Sequence, residues 1–185
     1  MSRTEILIVG IGGMGVVLAG RILARAAAIY EEKEVVQTQS YGAEARGTAA
    51  RSEIIISSEK INYPRVRKCD ILIAMSQEGL EKYLPYLKEN GILVYEKHLV
   101  KKIPISEKLR ILGVPAIQIA EKKVGNRLVA NIVIISAAIG FTKIVSEKSL
   151  KTAIADIIPE PMRKTNLKAV EEGIKFLREI LNQNS

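Results

Sequence analysis

Tryptophan is absent, and the chain holds one cysteine, one histidine and two phenylalanines. Each scarcity excludes something. The single thiol, Cys69, cannot close an intrachain disulfide and suits a reducing cytoplasm. Nor can one thiol supply the several thiolates that hold an iron–sulfur cluster. The single imidazole, His98, follows a strand-like run, and a lone histidine is more often a satisfied or surface side chain than a catalyst. With no tryptophan and no basic run interleaved with aromatics, base stacking has no platform, which argues against a nucleic-acid partner. Long apolar runs are missing too. The most apolar stretch, residues 128–141, is interrupted by Asn131 and Ser136 and falls short of the ~20 residues that span a bilayer. It reads as a core or interface helix, with no membrane role. The apolar segment after Arg3 breaks at glycines and has no cleavage site, so no signal peptide is expected.

What remains is an ordinary globular balance, 48% hydrophobic and 26% charged over 185 residues. One domain, 1–185, is expected, with a sheet part at about 1–114 and a helical part at about 115–185. The net charge of +8 reads as a solvated basic surface with alternating Lys and Glu. Such a field can also help to dock an acidic partner or a phosphorylated ligand. The abundance of Ile, Lys and Glu points to a thermophilic source.

Along the chain, β-branched runs alternate with Ala- and Leu-rich ones. Strands are expected at 5–9, 34–39, 51–57, 70–74, 92–95 and 108–112, and a helix at 14–29. Ser76 is placed to cap a helix through Tyr83 and Ser146 one through Ile157. Asn90-Gly91 reads as a turn closing the element before it. Past Pro115 the pattern is helical: 116–123, 128–144, and an amphipathic helix over 166–181 after an interruption at Pro159 and Pro161. On that last helix Glu171 and Lys175 are spaced to pair. Strand–helix alternation implies an α/β domain with a mostly parallel, doubly covered sheet.

Two loops carry chemistry. Gly10, Gly12 and Gly15 fit G-x-G-x-x-G, with Gly13 among them, between the first strand and first helix. The glycines allow a tight turn and close approach, and the N–H groups at a helix start favour an anion. A dinucleotide site also wants Asp or Glu closing the second strand, where this chain has Thr38-Gln39-Ser40. NAD is therefore disfavoured. The second loop contains Tyr41, Gly42, Glu44, Arg46 and Gly47, with Arg51 just beyond. Arg46 offers a planar fork suited to carboxylate or phosphate. Internal neutralisation by Glu44 or another carboxylate is the competing reading.

These stretches, followed in order by Ser52-Glu53-Ile54-Ile55-Ile56-Ser57, Asp70-Ile71-Leu72-Ile73-Ala74, Val114-Pro115-Ala116, Gly125-Asn126, Asn131 and Asn166-Leu167-Lys168-Ala169, resemble the gamma subunits of 2-oxoacid:ferredoxin oxidoreductases. The resemblance covers nearly the whole chain, and the form around Ser40-Tyr41-Gly42 is most similar to the 2-oxoglutarate type. The family often has Gln where Met14 stands and Gly where Thr48 stands.

The resemblance implies a three-layer α/β/α Rossmann-like fold with a helical C-terminal segment. It implies oxidative decarboxylation of a 2-oxoacid with coenzyme A, giving acyl-CoA and reduced ferredoxin. Thiamine diphosphate, magnesium and iron–sulfur clusters are expected on alpha and beta subunits, with a delta subunit in some complexes. This chain is then expected to hold no catalytic residue and no metal, and to shape the coenzyme A side. Alone, it is expected to be inactive and able to pair with itself. The alternatives are a stand-alone nucleotide-dependent oxidoreductase and a nucleotide-sensing module.

Overall fold

A computed structural model of the chain describes residues 3–40, 49–104 and 106–183. Six strands form one sheet: β1 (Arg3–Ile11), β2 (Glu34–Ser40), β3 (Ala49–Ser57), β4 (Cys69–Ala74), β5 (Leu87–Glu96) and β6 (Arg110–Val114). The helices are α1 (Val16–Tyr30), α2 (Gln77–Tyr83), α3 (Ala116–Ile119, continued by a π-helical turn), α4 (Ala130–Thr142), α5 (Glu147–Ile157) and α6 (Glu160–Gln183). The α/β class and the layered arrangement agree with expectation. All strands lie within 3–114 and all later elements are helical.

Strand order is β2-β3-β1-β4-β5-β6. β1, β4, β5 and β6 pair in parallel, whereas β3 lies antiparallel between β1 and β2. Five strands thus run one way and β3 the other, so the sheet is mixed. Chain length explains this. Only eight residues, 41–48, connect β2 to β3, and a parallel crossover needs a dozen or more. A short connection can only return the chain antiparallel.

The central strands are buried on both faces because their side chains alternate. Ile6, Ile8, Ile54, Ile71, Ile73 and Val94 point to the side carrying α1, α3, α4, α5 and α6. Leu7, Val9, Ile55, Leu72 and Leu93 point to the other, where Leu80 and Tyr83 of α2 with Val66 and Val100 cover them and Ile61 and Leu84 pack alongside. α4 is buried at every residue from Ala130 to Ile139, lying between the sheet and α6. Its polar residues are satisfied: Ser136 Oγ donates to the Ile132 carbonyl at 2.6 Å, and Asn131 Nδ2 to that of Gly15 at 3.1 Å. Residues 129–139 of that stretch are therefore core, and no helix of the described residues is long and apolar enough to cross a membrane.

Three local expectations need correction. Asn90-Gly91 does not end an element; it lies inside β5, where the register against β4 shifts between Cys69 and Ile71. The turn signal marked a bulge. Pro159 and Pro161 do not hold back the last helix, which starts at Glu160. Proline is tolerated in a first turn, whose N–H groups have no intrahelical acceptor. Glu171 does not take Lys175; it pairs with Lys151 of α5 at 3.3 Å, tying two helices together.

Candidate functional site

The C-terminal ends of the parallel strands, where α/β sheets present their binding loops, gather the first glycine loop, the start of α2, the turn after β5, and the starts of α3 and α4. Gly10 is still in β1. Gly13 has φ +93° and Gly15 φ +72°, left-handed values that favour glycine. Gly15 is the N-cap of α1, and among the described residues no side chain caps that helix. Its first-turn N–H groups are left for another acceptor. Met14 folds back so that the Ile11 N–H donates to its Sδ at 3.3 Å.

The turn is closed from an unexpected quarter. Asn131, in the first turn of α4, lies over Gly15. A Cβ there would come within 2.4 Å of the Asn131 amide nitrogen. Glycine is thus required at 15 twice over, by its φ and by this neighbour. Asn131 appeared in the sequence only as part of a resemblance, since nothing local says that a helix 116 residues away would meet the first turn.

Carboxylates and amides pin the surrounding loops. Glu96 is fully buried at the end of β5. It accepts the N–H groups of His98 and Leu99, both at 2.7 Å, and that of Ile117 at 3.4 Å. It therefore fixes the turn after β5 to the start of α3. Gln77 accepts the N–H groups of Lys101 and Lys102 at 2.8 and 3.0 Å. Ser76 caps α2 as expected, accepting from Gly79 at 3.1 Å. His98 Nε2 lies 3.3 Å from Gln118 Oε1 on the surface, the satisfied role that its isolation suggested.

Beside the glycine turn lies a cleft of about 180 Å³. Met14, Met75, Ile117 and Leu128 give it apolar walls, with Arg127 and Asn131 as polar groups. Arg127 pairs with Glu121 at 3.1 Å. Leu128 is 82% exposed, an unusual setting for leucine at the rim of an apolar cleft. Ordinary ligand pockets hold ~300–1,000 Å³, so this one suits a small group or an inserted side chain. A dinucleotide is too large for it. The topology agrees: β3 separates β1 from β2, so the strand expected to contact the ribose is not next to the glycine turn.

Of the other site residues, Arg51 lies on the α2 side of the sheet. It pairs with Glu53 at 2.9 Å and its guanidinium carbon stands 5.5 Å from the Tyr83 ring centre. This is an internally neutralised arginine. Tyr41, Gly42, Glu44, Arg46 and Gly47 lie outside the described residues. Cys69 is buried, and burial pushes its thiol up to about 12, which makes it unreactive at neutral pH. Among the described residues no three His, Cys, Asp or Glu side chains gather to hold a metal. A larger cavity, about 500 Å³, opens at the opposite end of the sheet, lined by Arg3, Asp70, Lys88, Asn90 and Arg110. Lys88 and Asp70 neutralise each other there at 2.7 Å. It lies at strand N-termini, far from the loops that α/β sheets use for ligands.

The sequence matches the pyruvate ferredoxin/flavodoxin oxidoreductase family over residues 5–176. It is similar to 2-oxoglutarate synthase subunit KorC of Methanocaldococcus jannaschii, with 42% identity over 179 residues and 96% of each chain covered. Subunit KorC of Methanothermobacter thermautotrophicus is likewise 42% identical, over 182 residues and 96% of each chain. Among solved structures, the gamma subunit of the keto/oxoacid ferredoxin oxidoreductase from Geobacter sulfurreducens PCA superposes with a TM-score of 0.84 at 39% identity, covering 95% of this chain and 99% of that one.

Proposed function

Because the chain belongs to the pyruvate ferredoxin/flavodoxin oxidoreductase family, we infer that it is the gamma-type subunit of a 2-oxoacid:ferredoxin oxidoreductase of the 2-oxoglutarate type. The two relatives at 42% identity, matched over 96% of their length, are 2-oxoglutarate synthase subunits. The complex works in the cytoplasm, converting 2-oxoacid and coenzyme A to acyl-CoA, carbon dioxide and reduced ferredoxin. Thiamine diphosphate, magnesium and iron–sulfur clusters sit on the alpha and beta subunits, and on a delta subunit where one is present. These cofactors carry the carbanion and electron chemistry, while the protein positions them.

This chain contributes shape and charge. The observation that carries the reading is the cleft at the glycine turn, with its uncapped helix start and the protruding Leu128. Helix-start N–H groups attract anions, and an exposed leucine beside an apolar cleft suits a neighbouring subunit. The glycine turn, and with it the residues 41–47 singled out in the sequence, serves the coenzyme A channel or the contact with the catalytic subunits. Reconstituted complex tests this. Arg46→Ala should raise KM for coenzyme A or loosen assembly, and Leu128→Ala should weaken retention of the chain. Unchanged KM and unchanged subunit retention in both variants would sink the reading.

A further inference from the structure

The cations of this chain are not all answered in the same way. On the outer helices Lys151 and Arg178 share Glu147, and Lys151 also reaches Glu171. The connection from β3 to β4, residues 58–68, is different. It holds Lys60, Arg65, Arg67 and Lys68 against Glu59 alone, and all four cations are exposed. Among the described residues neither they nor Glu59 take part in any ion pair. Two exposed tyrosines stand with them, Tyr63 at 45% and Tyr86 at 39%.

The segment is also held in place. The N–H of buried Val66 donates to Glu53 Oε2 at 3.2 Å, which pins the chain between Arg65 and Arg67 to the sheet. Arg3 of β1 donates to the Tyr63 carbonyl at 3.2 Å, and Lys68 Nζ to the Pro85 carbonyl at 2.6 Å. The Arg67 guanidinium carbon lies 4.5 Å from the Tyr63 ring centre. A surface that is already ordered loses little freedom when a partner docks. Arg3 also lines the cavity of about 500 Å³, so the surface runs on into a recess that can take a partner's side chain.

We propose that residues 60–68, with Tyr86, dock a carboxylate-rich face of a neighbouring subunit. Unanswered cations favour a partner of opposite charge, and arginine and tyrosine are the residues enriched where proteins meet. A nucleic acid fits less well. Arg67 covers one face of Tyr63, and Tyr86 leans on Tyr83 with ring centres 5.8 Å apart, so neither ring is an open stacking platform. The surface lies where β3 ends and β1 begins, with Ser57 opposite Arg3. It is therefore at the far end of the sheet from the glycine turn, and forms a contact separate from the cleft there. That the partner is a subunit rests on the reading of the chain as part of a 2-oxoacid:ferredoxin oxidoreductase.

Reconstitution tests it: the tagged chain is titrated onto the other subunits, and the affinity is read across a salt series. Arg65→Glu combined with Arg67→Glu should weaken binding on the order of tenfold or more, with circular dichroism unchanged and a shallower salt dependence. Arg65→Gln with Arg67→Gln should weaken it less, and serves if the reversed charges disturb folding. Lys164→Glu with Lys168→Glu on α6 makes the same change in net charge at another exposed place, and should leave binding near the parent's. If the parent assembles and the arginine variants bind as it does, or if both glutamate pairs weaken binding equally, the docking surface is refuted while the functional reading stands. Loss of RNA retention in the arginine variants, with subunit binding intact, would assign the patch to nucleic acid and refute it too. A parent that joins no thiamine-dependent subunits would overturn the functional reading, and this proposal with it.

Discussion

The two faces of the sheet are built by different rules. One carries α1, α4 and α5 with α6 laid outside them, and its core is aliphatic almost throughout. The other has the seven-residue α2 and extended segments, and mixes aliphatics with Arg3–Glu5, Arg51–Glu53 and the Tyr83–Tyr86 pair. Thick cover gives cohesion by burial; thin cover needs polar fastenings to hold loops against a sheet. Burial is non-directional and tolerant, whereas buried polar groups are costly when a partner is lost. Damage to the two faces should therefore look different.

The largest difference is expected from truncation in the core. Ile135, fully buried in α4, is locked between sheet and helix. Ile135→Ala should cost about 2–5 kcal/mol in urea unfolding, near the upper part of that range. Leu80→Ala in α2 should cost less, because a short surface helix can settle into the gap. Equal losses would erase the distinction between the faces. Next comes Arg51→Ala. It leaves Glu53, which is 6% exposed at its side chain, with the Val66 N–H as a partner at 3.2 Å and without its cation. A loss of about 1–3 kcal/mol is expected, largely recovered by Arg51→Lys. A neutral result would mean that the thin face is held by burial after all.

The smallest effect belongs to a tie on the outer surface of the thick side. Asp156 of α5 receives the Tyr30 hydroxyl and the Arg25 guanidinium of α1, and these hold its carboxyl below the usual carboxylate range. A lowered folded pKa contributes stability above the unfolded carboxylate value of ~3.9, and that contribution fades as pH falls through the lower folded value. Asp156→Asn should lower Tm slightly at pH 7 and match the parent once the pH is low enough to protonate the carboxyl in the folded as well as the unfolded chain. A gap between the two that persists there would show that packing, not charge, makes the tie.

The elements themselves were mostly legible, because their signals are local. Ser76 and Ser146 cap helices through their own side chains, and the isoleucine run 54–56 makes a buried strand wherever it is placed. Strand order was less so. The inversion of β3 follows from the shortness of its connection to β2, a clue that strand-by-strand reading passes over. Of the site, the glycine turn was visible because positive φ demands glycine. The cleft was not, since Ile117, Leu128 and Asn131 are brought to the turn only by the later helices. Burial of Glu96 was invisible for a similar reason. Its three backbone donors come from two segments that only the folded chain unites.

The bond from Asn131 to Gly15 has a bearing on how the chain is born. When β1 and α1 leave the ribosome, the turn between them still lacks its latch, and more than a hundred further residues must be synthesised before α4 can supply it. Until then the nascent amino-terminal half carries an unfinished turn and an uncovered apolar face, and it is at this stage that a holding chaperone would matter most.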